Sequence, residues 1–144
     1  MMRSSRRKGR EAALQLLYQT ELSGEPDQDA LELFWQSHPV ADETGALREF
    51  AEALVQAVLE HSQNIDRMID AATANWDMDR LSRVDLSLLR LAAGELLAFP
   101  ETPAAVVINE AVEIARRFSD ERAASFINGV LDRVAREHGR IQGK

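Results

Sequence analysis

The sequence predicts an all-α protein of about seven helices. Apolar residues recur at i, i+3, i+4 and i+7 along nearly the whole chain, and no stretch sustains the period-two alternation of a half-buried strand. Glycine, proline and capping residues punctuate the pattern at helix-length intervals. At 144 residues with 45% hydrophobic side chains, the chain is long enough for one well-buried core, and a single domain over 1–144 is expected.

The first helix is predicted to begin near Ser4 or Ser5, either of which can cap it. It turns Leu14, Leu17, Tyr18 and Leu22 inward until Ser23-Gly24-Glu25-Pro26 stops it. A short second helix carries Leu31, Phe34 and Trp35 and ends at His38-Pro39, because the residue before proline is pushed out of the helical basin. Leu47, Phe50, Ala51, Leu54 and Val58 give a third helix a single apolar stripe, so it should pack on one side only. Ile65, Ile69, Ala72 and Trp76 form the stripe of a fourth, followed by a turn over Asp77-Met78-Asp79-Arg80.

Ser82 and Asp85 fit a capping box ahead of the fifth helix. There Val84, Leu86, Leu88, Leu89, Leu91, Leu96 and Leu97 leave little polar face, which predicts the buried centre. In Phe99-Pro100-Glu101-Thr102-Pro103, Thr102 can cap a sixth helix with Pro103 at its first position. Ile108, Ala111, Val112, Ala115 and Phe118 continue its period. Ser119-Asp120 breaks the pattern and caps a seventh helix that turns Ala123, Phe126, Ile127, Val130, Leu131 and Val134 inward. Gly129 reads as a close-packing position, Asn109 and Asn128 as polar groups needing partners between apolar helices, and 138–144 as a frayed tail.

Composition excludes several functions. With no cysteine there are no disulfides, thiolate metal sites or cysteine nucleophile, which fits a reducing compartment. Val84 to Phe99, the most apolar stretch, holds Asp85, Arg90 and Glu95 and is too short to span a membrane. The basic start is followed at once by Arg10 and Glu11, not by an apolar export segment, so a soluble, cytoplasmic protein is expected. No dinucleotide or phosphate-loop glycine motif, zinc-protease motif or nucleophile elbow occurs. His38, His61 and His138 stand beside helix ends without a second ligand at workable spacing, and Asp77 with Asp79 lacks a third oxygen-rich position. Asp85 and Glu95, ten residues apart on one helix, sit about 15 Å from each other, too far for joint acid-base work. Neither catalysis nor a cofactor or metal is expected.

Charge is distributed unevenly. Of 17 basic and 24 acidic residues, five basic ones (Arg3, Arg6, Arg7, Lys8, Arg10) fall within 1–10 and no acid does. Helix stability does not select such a leg, since a helix start carries partial positive charge and favours acids. Arg3, Arg6, Arg7 and Arg10 follow i, i+3, i+4, i+7 and line one helical face over about 10 Å, a spacing suited to successive phosphates. A solubilising tail is the alternative. Arg116-Arg117-Phe118 forms a second basic group, which either completes the negative end of its helix or contributes Arg116 to the same anion. Tyr18 and Phe126 offer rings that either fill the core or stack on unpaired bases beside these cations.

The segments RRKGREAALQLLYQTEL (6–22), WDMDRLSRVDLSLLRLAAGEL (76–96) and PAAVVINEAVEIARRFSDERAASFINGVLDRV (103–134) together resemble the NusB family of bacterial transcription antitermination factors. The strings INEAVEIA and FINGVLD are the most diagnostic, and the resemblance is weakest over 24–62. It implies two small packed helical subdomains without catalysis. It further implies binding of boxA RNA together with NusE, a ribosomal protein, within an RNA polymerase antitermination complex that promotes ribosomal RNA transcription. The RNA surface it implies maps to Arg6, Arg7, Arg10 and Phe126, and the NusE-facing side to Tyr18, Leu22 and Asp85. The chain departs from the family pattern at Gly9, where alanine is frequent, at Gly94, where an aromatic usually stands, and at Ser125, where a cation often precedes the ring. A scaffold without RNA contact and an accessory domain for an RNA-modifying enzyme are the alternatives. A homodimer that buries the RNA surface is compatible with the sequence.

Overall fold

The computed structural model describes residues 2–38, 45–74 and 81–140, with side chains from Arg6 onward. The expectations for Pro39, Trp76, Asp77, Asp79, Arg80 and the tail beyond 140, and for the side chain of Arg3, lie outside the described residues. Among the described residues seven helices and no strand occur: α1 Met2–Ser23, α2 Gln28–Ser37, α3 Ala46–Glu60, α4 Ser62–Ala72, α5 Arg83–Ala98, α6 Ala104–Phe118 and α7 Glu121–Glu137. None is long and apolar enough to cross a membrane. The chain forms two compact units, 1–56 and 57–144, with the boundary inside α3.

In the first unit, α1 starts at Met2, two to three residues before the expected cap, so Ser4 and Ser5 lie within the helix. Met and Arg are good helix formers and carry it to the start of the chain. Its buried face holds Ala13, Leu14, Leu16, Leu17 and Thr20. Leu22 was expected inward but lies on the opposite side of the wheel and is 53% exposed. At the carboxyl end the Gly24 N–H donates to the Thr20 carbonyl at 2.7 Å with φ at 90°, a left-handed exit that glycine adopts without strain.

Asp27 caps α2 by accepting from the Ala30 N–H at 2.8 Å. Trp35 of α2 donates from Nε1 to Glu52 of α3 at 2.8 Å, while Arg48 bridges Glu52 at 3.1 Å and Glu32 at 2.7 Å. Gly9 of α1 meets α3 at the Phe50 ring: a Cβ at position 9 would come within 2.8 Å of Phe50 Cδ2. α3 is buried on a broader face than its stripe, since Val55 and Ala57 are covered along with Leu47, Ala51, Leu54 and Val58.

In the second unit α5 is the central element, packing against α4, α6 and α7. Its buried residues run without interruption from Ser87 to Leu89 and from Leu91 to Leu96. Gly94 is where this packing is tightest. A Cβ there would sit 2.9 Å from Val58 Cγ2 and 3.4 Å from Ile65 Cδ1, so the position expected to hold an aromatic is occupied by neighbouring side chains. Gly129, expected to be such a contact, is exposed with nothing within 4 Å of a built Cβ.

Three helix boundaries also differ from expectation. Pro103, not Thr102, precedes α6: the Pro103 carbonyl accepts from the Val106 and Val107 N–H groups at 3.0 and 3.2 Å, while the Thr102 carbonyl accepts from Arg140. Phe118 ends α6 38% exposed, not inward. The chain does not fray at His138: Arg140 N–H donates to the Ala135 carbonyl at 2.7 Å and Gly139 N–H to Arg136 at 3.3 Å, with Gly139 φ at 73°. That is the paired closure of a Schellman motif. The Arg140 guanidinium then donates to the Leu96 carbonyl in the last turn of α5 and to the Thr102 carbonyl at 2.5 Å. Asn109 and Asn128, expected between helices, are both exposed.

Candidate nucleic-acid interface

The basic face of α1 divides by depth. Arg6 is exposed and Arg7 half-buried, whereas Arg10 is only 5% exposed. Two of these cations face Phe50: the Arg6 guanidinium carbon lies 4.2 Å from the ring centroid and that of Arg10 5.3 Å from it. The ring takes the space that Gly9 leaves open between the two arginines. Periodicity alone makes the four arginines equivalent and does not show that Phe50 lies against two of them. A glycine inside a basic helix was the available signal. Arg10 is therefore a packed cation of the first unit rather than a displayed one, a correction to the expected stripe. Tyr18 is half-buried on the same helix, and Leu22 is displayed.

In the second unit Arg116 is exposed, yet its guanidinium donates to Glu113 at 2.5 Å and to Glu121 at 2.8 Å. The hydrogen bond from Arg116 holds the Glu121 carboxyl below its ordinary range, and the same pair raises Arg116. Two carboxylates thus compete with any incoming phosphate for this group. Arg117 is turned to the exposed Phe118 ring, 5.6 Å from its centroid. Phe126 is half-buried on α7, with Ser125 exposed beside it.

Asp85 was expected on a partner-facing surface, but it is 5% exposed. Only half of the capping box forms. Ser82 Oγ accepts the Asp85 N–H at 3.1 Å, while the carboxylate turns away to accept from the Ser119 hydroxyl at 3.3 Å, tying the start of α5 to the α6–α7 connection. Its Oδ1 is buried without a hydrogen-bond partner. Among the described residues no group of three metal-ligating side chains comes together. The histidines sit at helix ends, His38 and His138 closing α2 and α7 and His61 opening α4.

Helices alone among the described residues, with no strand, define the class: an all-α protein with the Arg6 and Arg116 guanidiniums exposed on an otherwise acidic chain. Comparison with known proteins narrows it. The family model described as the NusB family matches residues 7–136. The transcription antitermination protein NusB of Geobacter sulfurreducens is 47% identical over 132 residues, covering 91% of this chain and 94% of that protein. That of Anaeromyxobacter dehalogenans is 44% identical over 135 residues, covering 93% and 92%. Among solved structures, NusB of T. maritima is similar at a TM-score of 0.75 with 36% identity, covering 90% of this chain and 89% of that one. A chain from a complex of the antitermination factors NusB and NusE with dsRNA matches at a TM-score of 0.78 and 29% identity, covering 93% and 97%. The chain belongs to the NusB family of transcription antitermination proteins.

Proposed function

We propose that this protein is a non-catalytic cytoplasmic adaptor that binds boxA-like single-stranded RNA together with NusE and helps the transcription complex resist termination. The observation that carries the reading is the exposed Arg6, with the half-buried Arg7 beside it at the start of α1, in a chain whose remaining 134 residues hold twice as many acids as bases. A chain with that balance does not attract a polyanion as a whole, so contact has to be made through local groups of cations. The association of a NusB chain with NusE and RNA in a solved complex supports the same partners here.

Two groups divide the work. Arg6 and Arg7 supply phosphate contacts and register, while Phe126 on α7 supplies a ring face for an unpaired base. Tyr18 and Leu22 belong to the NusE side: a half-buried ring and an exposed leucine make an apolar anchor that an acidic surround can steer toward a basic ribosomal protein. Arg116 contributes less than its exposure suggests, because two carboxylates, Glu113 and Glu121, together hold its guanidinium and an incoming phosphate must displace both. Asp85 acts by holding the α6–α7 connection from which Phe126 is launched.

Fluorescence anisotropy with labelled boxA-like and scrambled single strands, and a duplex of the same sequence, each with and without NusE, tests the reading. Preferential binding of the boxA strand, strengthened by NusE and weakened roughly tenfold by Phe126→Ala, is expected. Equal, Phe126-independent affinity for all three RNAs would contradict it.

A further inference from the structure

Among the described residues, three internal helical glycines have different surroundings. Gly9 and Gly94 are explained from within, since a Cβ would meet Phe50 at 2.8 Å and Val58 at 2.9 Å. Gly129 is not. It sits in the middle of α7, its φ is not positive, it is exposed, and a Cβ there would touch nothing within 4 Å. Mid-helix glycine costs stability relative to alanine, and here no neighbour and no backbone conformation compensates. The missing side chain leaves a dip in the exposed face where another molecule can approach the helix backbone.

Three arginines stand on the rim of that dip, with Asp132 about 60° from it. At 100° per residue, Arg122, Arg133 and Arg136 all fall within about 40° of Gly129 on the helical wheel, two turns before it and one and two turns after. All three are exposed. Arg133 pairs with Glu137 at 3.3 Å and Arg136 with Asp132 at 2.9 Å. These are exposed i,i+4 pairs of the kind that contribute little, so their guanidiniums can be shared with a phosphate. Phe126 borders the same face about 60° away.

We propose that the Gly129 dip is a seat for the RNA sugar-phosphate backbone. A nucleotide packs directly on the α7 backbone, Arg122 and Arg133 bracket its phosphates, and the base beside it is delivered to Phe126. The proposal deepens the RNA-binding reading and rests on it. A side chain at 129 lifts the strand off the helix and weakens both contacts at once, although it improves the helix itself.

Gly129→Ala and Gly129→Leu separate the two effects, with urea unfolding measured alongside binding of a boxA-like RNA and capture of NusE. The expected result is a higher urea midpoint for Gly129→Ala, with RNA affinity roughly tenfold lower and lower still for leucine, and NusE capture unchanged. Wild-type RNA affinity retained in both variants would overturn the seat while leaving the RNA reading intact. Lost NusE capture with RNA affinity retained would assign the dip to a protein contact and overturn it equally. A lower midpoint for Gly129→Ala would refute the open position on which it stands. Failure of the wild-type protein to bind RNA, alone or with NusE, would remove the RNA reading itself.

Discussion

Gly94 and Val58 show how one missing methyl group sets local packing. In an exposed helix, alanine in place of glycine is favourable by about 1 kcal/mol. At position 94 the added carbon would stand 2.9 Å from Val58 Cγ2, on a β-branched side chain with few rotamers to retreat into. Overpacking of this kind costs about 1–3 kcal/mol and outweighs the propensity gain, so Gly94→Ala is expected to lower stability by about 1 kcal/mol. In a Val58→Ala background the obstacle is gone and the same change becomes stabilising. Urea unfolding of the two single variants and the double variant gives the sign directly, and additive effects would refute the contact. Gly94 was legible in the sequence as a departure from the family pattern. The neighbour that fills its place was not, because Val58 belongs to another helix 36 positions earlier. Arg10 was misread for a related reason: periodicity places a side chain on a face but does not say that a ring from α3 covers part of it.

Helix existence followed from hydrophobic spacing, since a stripe at period 3.6 can be buried only as a helix. Helix ends followed less well, because each depends on where a few polar groups find partners. Asp120 caps α7 as expected, accepting the Ala123 N–H at 2.8 Å, since a local three-residue bond suffices there. Thr102 does not cap α6, because the first helical N–H groups bond the Pro103 carbonyl and the Thr102 carbonyl is taken, from 38 positions away, by Arg140. That arginine closes two elements at once: it completes the turn after α7 and satisfies a terminal carbonyl of α5 that no residue of α5 can reach. Arg140→Ala leaves the Leu96 and Thr102 carbonyls without these charged donors. A loss of about 1–3 kcal/mol is expected, with Arg140→Lys recovering only part because a point charge replaces a fork. Unchanged thermal unfolding would mean that the carbonyls are served equally well by water.

The protein as a whole carries a net charge of −7, with five of its 17 basic residues and no acid in the first ten positions, so its binding of RNA should be local, cation-driven and salt-sensitive. The family and its all-helical architecture were legible in INEAVEIA and FINGVLD; the depth ordering of the arginines and the open position at Gly129 were not, because both are matters of what lies across from a helix face. The most direct measurement is the dependence of boxA RNA affinity on salt, for the wild-type protein and for Arg6→Ala combined with Arg7→Ala. Each phosphate contact to a single strand adds about 0.7 to the steepness of log K against log salt, so the double variant should lose about 1.4 of slope along with affinity. An unchanged slope would contradict the claim that these two guanidiniums dock the RNA.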